Sequence, residues 1–225
     1  RGADLLMDLA HDFKELTYID FGSGFKVGYK PGESATDIES FGNKMSTRFK
    51  EFCLVYGRDL KLIFEPGKFL VSEAGVFITR VNSMKTTPST VFAQVNSGFN
   101  HFPRPMMYDA YHHIENISNP DGEQRLYTIV GYVCETDTFG YDRKLNEVRN
   151  GDLLAFHNAG AYCSSMSSQY NSRVRPAEVL IEGDRSYLIR ERETMDDLLR
   201  GTIEHGLYLD IVTQGKEEAE IAVPS

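Results

Sequence analysis

Residues 17–24 read TYIDFGSG and residues 61–68 read KLIFEPGK. Each is a short, mostly apolar run that stops at a glycine-bearing turn, as a buried strand does when it delivers the chain to a loop. Between them, residues 36–56 place Ile38, Phe41, Met45, Phe49, Phe52 and Val55 near one face of a predicted helix. Ahead of them, residues 2–15 carry Leu5, Leu6, Leu9 and Phe13 at helical spacing. Helix, strand, helix and strand in that order imply βα units and a parallel sheet.

Beyond residue 75 the pattern changes. Residues 76–85, 89–96, 125–133, 153–157, 178–182 and 185–190 are β-branched and aromatic runs separated by Gly, Pro, Asn and Asp. They predict an antiparallel β domain over 76–225. Glu182-Gly183-Asp184-Arg185 suits a hairpin. Residues 194–200 read as a short helix, and the tail Gly215–Ser225 is acidic and reads as frayed. Residues 1–75 hold only two βα units, whereas a complete (β/α)8 barrel needs about 250 residues. The first residue is Arg, and the sequence opens inside a helix. The expectation is a piece of a longer protein.

The net charge of −9 argues against a nucleic-acid partner, which requires a basic stripe. Every apolar run is broken well before the roughly 18 residues of a membrane span. The opening RGADLLMDLAHDF lacks the form of a secretory leader. Cys53, Cys134 and Cys163 are odd in number and have no CxxC spacing, which disfavours a disulfide framework or a zinc site and fits a reducing cytoplasm.

The loops after the two strands are the first chemical candidates. Gly22-Ser23-Gly24 can turn backbone N–H groups toward an anion, and Glu65-Pro66-Gly67-Lys68 follows the next strand. Either alone is equally a tight chain reversal. Val27 stands where a dinucleotide fingerprint needs its third glycine. Arg104 and Tyr108 are one helical turn apart and could clamp a carboxylate. Cys134-Glu135 ends a predicted strand over 127–133, and Tyr162 sits in a turn of small residues. His112 and His113 are adjacent and face different ways on a strand, so neither is read as a metal ligand.

Five segments in order carry a resemblance: DFGSGFKVGY (20–29), EPGKFLVSEAG (65–75), VNSGFNHFPRPMMYDAYH (95–112), VGYVCETDTF (130–139) and GDLLAFHNAGAYCSSMSSQYNSRVRPAEVLI (151–181). Together they resemble the diaminopimelate decarboxylase family, a branch of the fold-type III pyridoxal-phosphate enzymes. The resemblance implies the C-terminal part of a (β/α)8 barrel over residues 1–75 followed by a Greek-key β domain over 76–225. It implies a homodimer with shared active sites, an amino-acid substrate and pyridoxal 5'-phosphate as cofactor.

By the same resemblance, Gly22, Ser23, Gly24 and Gly67 hold the cofactor's phosphate. Glu65 faces its pyridinium nitrogen, and Tyr162 lies near phosphate and substrate. Lys68, where the family has Arg, sits by cofactor and substrate, and Arg104, Tyr108 and Glu135 contact substrate. Cys134 is the implied proton donor. The lysine that carries the cofactor as a Schiff base matches no residue here, so the chain by itself is expected to be catalytically incomplete. Related decarboxylases of ornithine, arginine or carboxynorspermidine stay open, as does a non-catalytic dimerisation module. The Cys134-Glu135 pair and the run from Tyr170 to Glu178 favour diaminopimelate.

Overall fold

The computed structural model describes residues 2–203. The acidic tail from Gly215 lies outside the described residues. The chain divides into two compact units, residues 1–175 and 176–225.

The first unit opens with helix α1 (Gly2–Ala10), strand β1 (Tyr18–Asp20), helix α2 (Ile38–Tyr56) and strand β2 (Lys61–Ile63). β1 and β2 pair in parallel, Ile19 opposite Leu62, as the apolar strands predict. Met7, Ala10, Ile19, Phe49, Phe52 and Cys53 form their shared core. α2 starts at residue 38, later than expected. Thr36 is tied to Lys26 by backbone hydrogen bonding, and Asp37 caps the helix by accepting from the Ser40 N–H at 3.0 Å.

α1 stops at Ala10 rather than at residue 15. The backbone tightens there into i→i−3 bonds, such as Phe13 N to Ala10 O at 3.1 Å. Outside groups take two of the freed carbonyls: Lys14 Nζ donates to His11 O and Tyr56 Oη to Phe13 O. Leu5, Leu6, Leu9 and Phe13, read as one apolar helix face, are all exposed, and so are Ile38 and Val55 of α2.

A six-stranded sheet follows: β3 (Phe77–Thr86), β4 (Val91–Val95), β5 (Ile114–Asn116), β6 (Gln124–Val130), β7 (Thr138–Asn146) and β8 (Leu153–Phe156), ordered β5-β8-β3-β4-β6-β7. The edge strands β5 and β7 also touch, so the sheet is nearly closed like a barrel. Phe102, Ile129, Phe139, Leu154 and Phe156 fill its interior, fully buried. The sheet is mixed rather than antiparallel, because β4 and β6 pair in parallel, Ala93 opposite Ile129. β5 and β7 are strands the sequence pattern did not announce. β6 ends at Val130 rather than 133, because the Gly131 N–H turns to the Asp137 carbonyl at 2.7 Å.

A seam joins this sheet to the βα part. Helix α3 (Gly67–Val71) continues into a 3₁₀ turn over 72–74. Gly160 N donates to Ser72 O at 3.0 Å, Ala159 N to Gly75 O at 2.8 Å, and Asn158 Nδ2 to Gly28 O at 2.9 Å. A Cβ on Gly160 would lie 1.8 Å from the Val71 carbonyl oxygen. Gly160→Ala is therefore expected to cost about 1–3 kcal/mol of stability, the usual penalty for forcing packed atoms apart. A shift of the urea midpoint at unchanged slope would register it.

The second unit holds the expected hairpin, β9 (Glu178–Glu182) and β10 (Arg185–Arg190), with Arg185 opposite Glu182 and Gly183 at φ +62°. Helix α5 (Met195–Leu198) is shorter than the expected 194–200 and starts from a Thr194–Asp197 capping box. Among the described residues no helix is long and apolar enough to cross a membrane.

Candidate active site

The two strand-end loops lie side by side because β1 and β2 are parallel neighbours. Asp20 Oδ1 accepts from the Gly22 N–H at 2.8 Å, which starts the first turn. Gly22 (φ +66°) and Gly24 (φ +109°) adopt conformations that favour glycine. Gly22 O in turn accepts from the Glu65 N–H at 2.7 Å, and Gly67 N donates to Glu65 O at 2.8 Å. These bonds hold Ser23 and Glu65 at the surface of one joint loop structure. Among the described residues the Glu65 carboxylate meets no cation within 4.0 Å.

Beside these loops opens a cleft of about 680 Å³. Lys68, Arg104, Tyr108 and Tyr162 line it together with Tyr29 and Glu33. Lys68 enters from α3, directly after Gly67. Helix α4 (Arg104–Tyr108) places Arg104 and Tyr108 one turn apart, and Asp109 ends it at φ +50° with its N–H on Arg104 O. Tyr162 stands at φ +61°, a strained value for a residue with a side chain. A Cβ on Gly67 would lie 2.6 Å from Tyr162 Oη, so glycine is what permits this approach.

The charges in the cleft are unbalanced. Arg104 is only 7% exposed, with its guanidinium 5.7, 5.9 and 5.8 Å from the ring centres of Tyr29, Tyr108 and Tyr162. Its Nε donates to His112 Nε2 at 3.3 Å and its Nη2 to Tyr29 Oη at 3.4 Å. Among the described residues neither Arg104 nor Lys68 forms an ion pair. Glu33, the carboxylate in the wall, is occupied by the backbone N–H groups of Tyr29 and Lys30 and by Lys26 at 3.7 Å. The Lys30 N–H above all holds its pKa below the ordinary range. A buried guanidinium with no internal counter-charge is costly unless an anion fills the place.

Tyr29 and His112 are members of this site that the sequence reading missed as functional residues. Tyr29 closes the DFGSGFKVGY segment, and His112 follows Tyr108 by four residues. The His112 ring is fully buried, with Phe102 4.5 Å and Tyr29 5.0 Å away, both nearly edge-on. Its nitrogens are engaged by Arg104 Nε and the His157 carbonyl. Burial, with Arg104 and Arg143 nearby, pulls its pKa from 6.5 down to about 4, against the opposing pull of the His157 carbonyl.

The folded value is depressed, so between about pH 6.5 and 4 the unfolded chain binds the extra proton. His112's contribution to stability is full above that window and lost as pH falls through it. The loss is on the order of 2–4 kcal/mol. His113 is shifted in the same direction, chiefly by burial. Urea unfolding from pH 7 to 4.5 is expected to show the fall, and His112→Phe to flatten it.

Cys134 and Glu135 do not line this cleft. Both are exposed on the bend over 131–136. Glu135 accepts from the Tyr170 hydroxyl, and Tyr170 packs 5.0 Å from Phe99. Asp137 shapes the bend from beneath, accepting from Phe99 N at 2.7 Å and Val133 N at 3.1 Å. Gly98 and Gly131 leave room for that carboxylate, since a Cβ at either would fall 2.8 or 2.0 Å from Asp137 Oδ2.

Most of the chain is similar to known proteins in sequence and in fold. The C-terminal sheet domain of pyridoxal-dependent decarboxylases matches residues 24–160. The chain belongs to the pyridoxal-dependent decarboxylase family. It is 45% identical over 206 residues to the diaminopimelate decarboxylase of Methanothermobacter thermautotrophicus, covering 88% of this chain and 48% of that protein. The crystal structure of diaminopimelate decarboxylase from M. jannaschii superposes with a TM-score of 0.80 at 34% identity, covering 90% of this chain and 46% of that one. A co-complex of the M. jannaschii decarboxylase with L-lysine gives 0.78 at 34% identity, covering 92% and 48%. The chain of this decarboxylase family member thus spans about half the length of the curated relatives it matches.

Proposed function

We propose that the full-length protein converts meso-2,6-diaminopimelate to L-lysine and carbon dioxide, as a cytoplasmic homodimer with shared active sites. The observation that carries this reading is the buried, uncompensated Arg104 beside Lys68, a place built for an anion on a small amino acid. The M. jannaschii relative bound to L-lysine supports it. On this reading, residues 1–75 are the last βα units of a (β/α)8 barrel and 76–225 a Greek-key β domain.

The residues present fit pyridoxal 5'-phosphate. Ser23 and Gly24 bring backbone N–H groups to a loop whose turn Gly22 forms on Asp20, and Gly67 in the adjoining loop has the room that glycine leaves beneath Tyr162. These four residues would hold the phosphate, with Lys68 and Tyr162 next to it. When bound, the cofactor supplies the electron sink that accepts the pair released by the breaking Cα–carboxylate bond. A negatively charged Glu65 would hold a proton on the ring nitrogen of the bound cofactor. Arg104 and Tyr108 bind the carboxylate at the substrate's other end, and Lys68 adds a second positive charge in place of the family's Arg. Glu135 reaches from the partner subunit to the distal ammonium. Cys134 beside it delivers the proton to Cα once carbon dioxide has left, so exposure of both residues outside their own cleft suits a role across a dimer interface.

Substrate preference tests the assignment. Sites built to pair a polar group reject analogues lacking it by roughly 10⁴–10⁵-fold. The full-length protein is expected to favour meso-diaminopimelate over L-lysine and L-ornithine by that order in kcat/KM. Comparable values for ornithine and diaminopimelate would overturn it.

A further inference from the structure

The hydrogen bonds around the His112 ring select one tautomer of its neutral form. Its Nδ1 lies 2.9 Å from the His157 carbonyl oxygen, just past the end of β8. A carbonyl only accepts, so Nδ1 carries the hydrogen. In a neutral ring Nε2 then presents a lone pair, and that lone pair lies 3.3 Å from Arg104 Nε. The opposite tautomer would set two N–H groups against each other at Nε and leave a bare nitrogen against the carbonyl. The ring cannot escape the choice by turning, because Phe102 and Tyr29 press on it and no part of it meets solvent. Its depressed pKa keeps the acceptor state in place at neutral pH.

The consequence falls on Arg104. A guanidinium can grip a carboxylate by its Nε/Nη side or by the end formed by its two Nη atoms. Here Nε is taken by His112, and Nη2 already gives one hydrogen to Tyr29 Oη. We infer that His112 is a positioning residue that fixes the roll of the Arg104 guanidinium, so that its Nη end alone is left for the substrate's distal carboxylate. The inference rests on the reading of Arg104 as a substrate ligand. A lysine at position 104 would leave the His112 acceptor unmet, and a cation in place of His112 would repel the guanidinium.

The test uses the full-length enzyme. His112→Phe keeps the ring volume and removes the acceptor. It is expected to raise KM for meso-diaminopimelate by about 10–100-fold, the worth of a hydrogen bond to a charged group, with a much smaller change in kcat. The inhibition constant of 1,5-diaminopentane, which has no carboxylate, stays where it was. His112→Gln offers an amide oxygen and recovers most of the lost KM. An unchanged KM in His112→Phe, or a parallel shift in the diaminopentane constant, overturns the inference in favour of a packing role. Arg104→Ala separates the two readings: if it leaves KM unmoved, Arg104 itself is misassigned; if it raises KM while His112→Phe does not, only the His112 inference fails. Neutron diffraction on the wild-type enzyme decides independently of any variant. Deuterium on Nδ1 and none on Nε2 supports the inference, and deuterium on Nε2 overturns it.

Discussion

Cys134→Ala in the full-length enzyme is expected to lower kcat by about 10²–10⁴-fold, the usual contribution of a positioned acid. The substitution removes only an exposed thiol from the bend over 131–136, so folding and cofactor binding should hardly change. KM should move little, because the proton is delivered after the substrate has lost its carboxylate. Single-turnover measurement in deuterated solvent makes the check specific, since a proton-delivery defect slows product formation without slowing substrate capture. A variant of normal rate would return Cys134 to the status of a surface cysteine.

Arg104→Ala should have an effect of similar size on a different quantity. Truncating a buried, hydrogen-bonded charge typically costs about 2–5 kcal/mol, or roughly 30- to 4,000-fold in an equilibrium or rate constant. That loss should fall on diaminopimelate and spare L-lysine, which offers no distal carboxylate when its α-amino group is the one that reacts. The discrimination between the two therefore narrows, and comparing kcat/KM for both substrates in both proteins measures it. An unchanged ratio would mean that another group holds the carboxylate. The variant also strands the His112 acceptor and uncovers three tyrosine faces, so its thermal unfolding should be recorded alongside.

The parts of the fold that depend on local chemistry were legible in the sequence. The runs at 17–24 and 61–68 read correctly as neighbouring parallel strands with glycine loops, because strand apolarity and turn residues are properties of the segment itself. The hairpin at Gly183 was legible for the same reason. Periodicity shows which residues share a helix face but not whether anything covers that face. Leu5, Leu6, Leu9 and Phe13 thus read as one helix face and lie exposed. β7 escaped because TFGYDRKLN mixes charges into the strand and bends at Asp142, φ +46°. The parallel pairing of β4 with β6 joins distant segments, and no local pattern encodes it.

At the site, the spacing of Arg104 and Tyr108 was readable as one helical turn, and the fold brings that pair to Lys68 and Tyr162. The roles of Tyr29 and His112 were not readable. They depend on which atom meets which across 75 and 8 residues of chain, and a residue type alone does not carry that information.

The seam between the sheet and the glycine loops also bears on the timing of synthesis. Asn158 and Gly28, which it joins, are 130 residues apart. At about 5–20 residues per second, Asn158 is made roughly 7–26 s after Gly28 leaves the ribosome's catalytic centre. Through that interval the loop over 21–37 lacks the Asn158 side chain that later holds the Gly28 carbonyl. Closing so long a loop comes late and slowly in folding. The turn at Gly22, set by Asp20 and Glu65, can form early, whereas the seam that holds Gly28 forms late, and until then the apolar helix faces stay within reach of chaperones and of other unfinished chains.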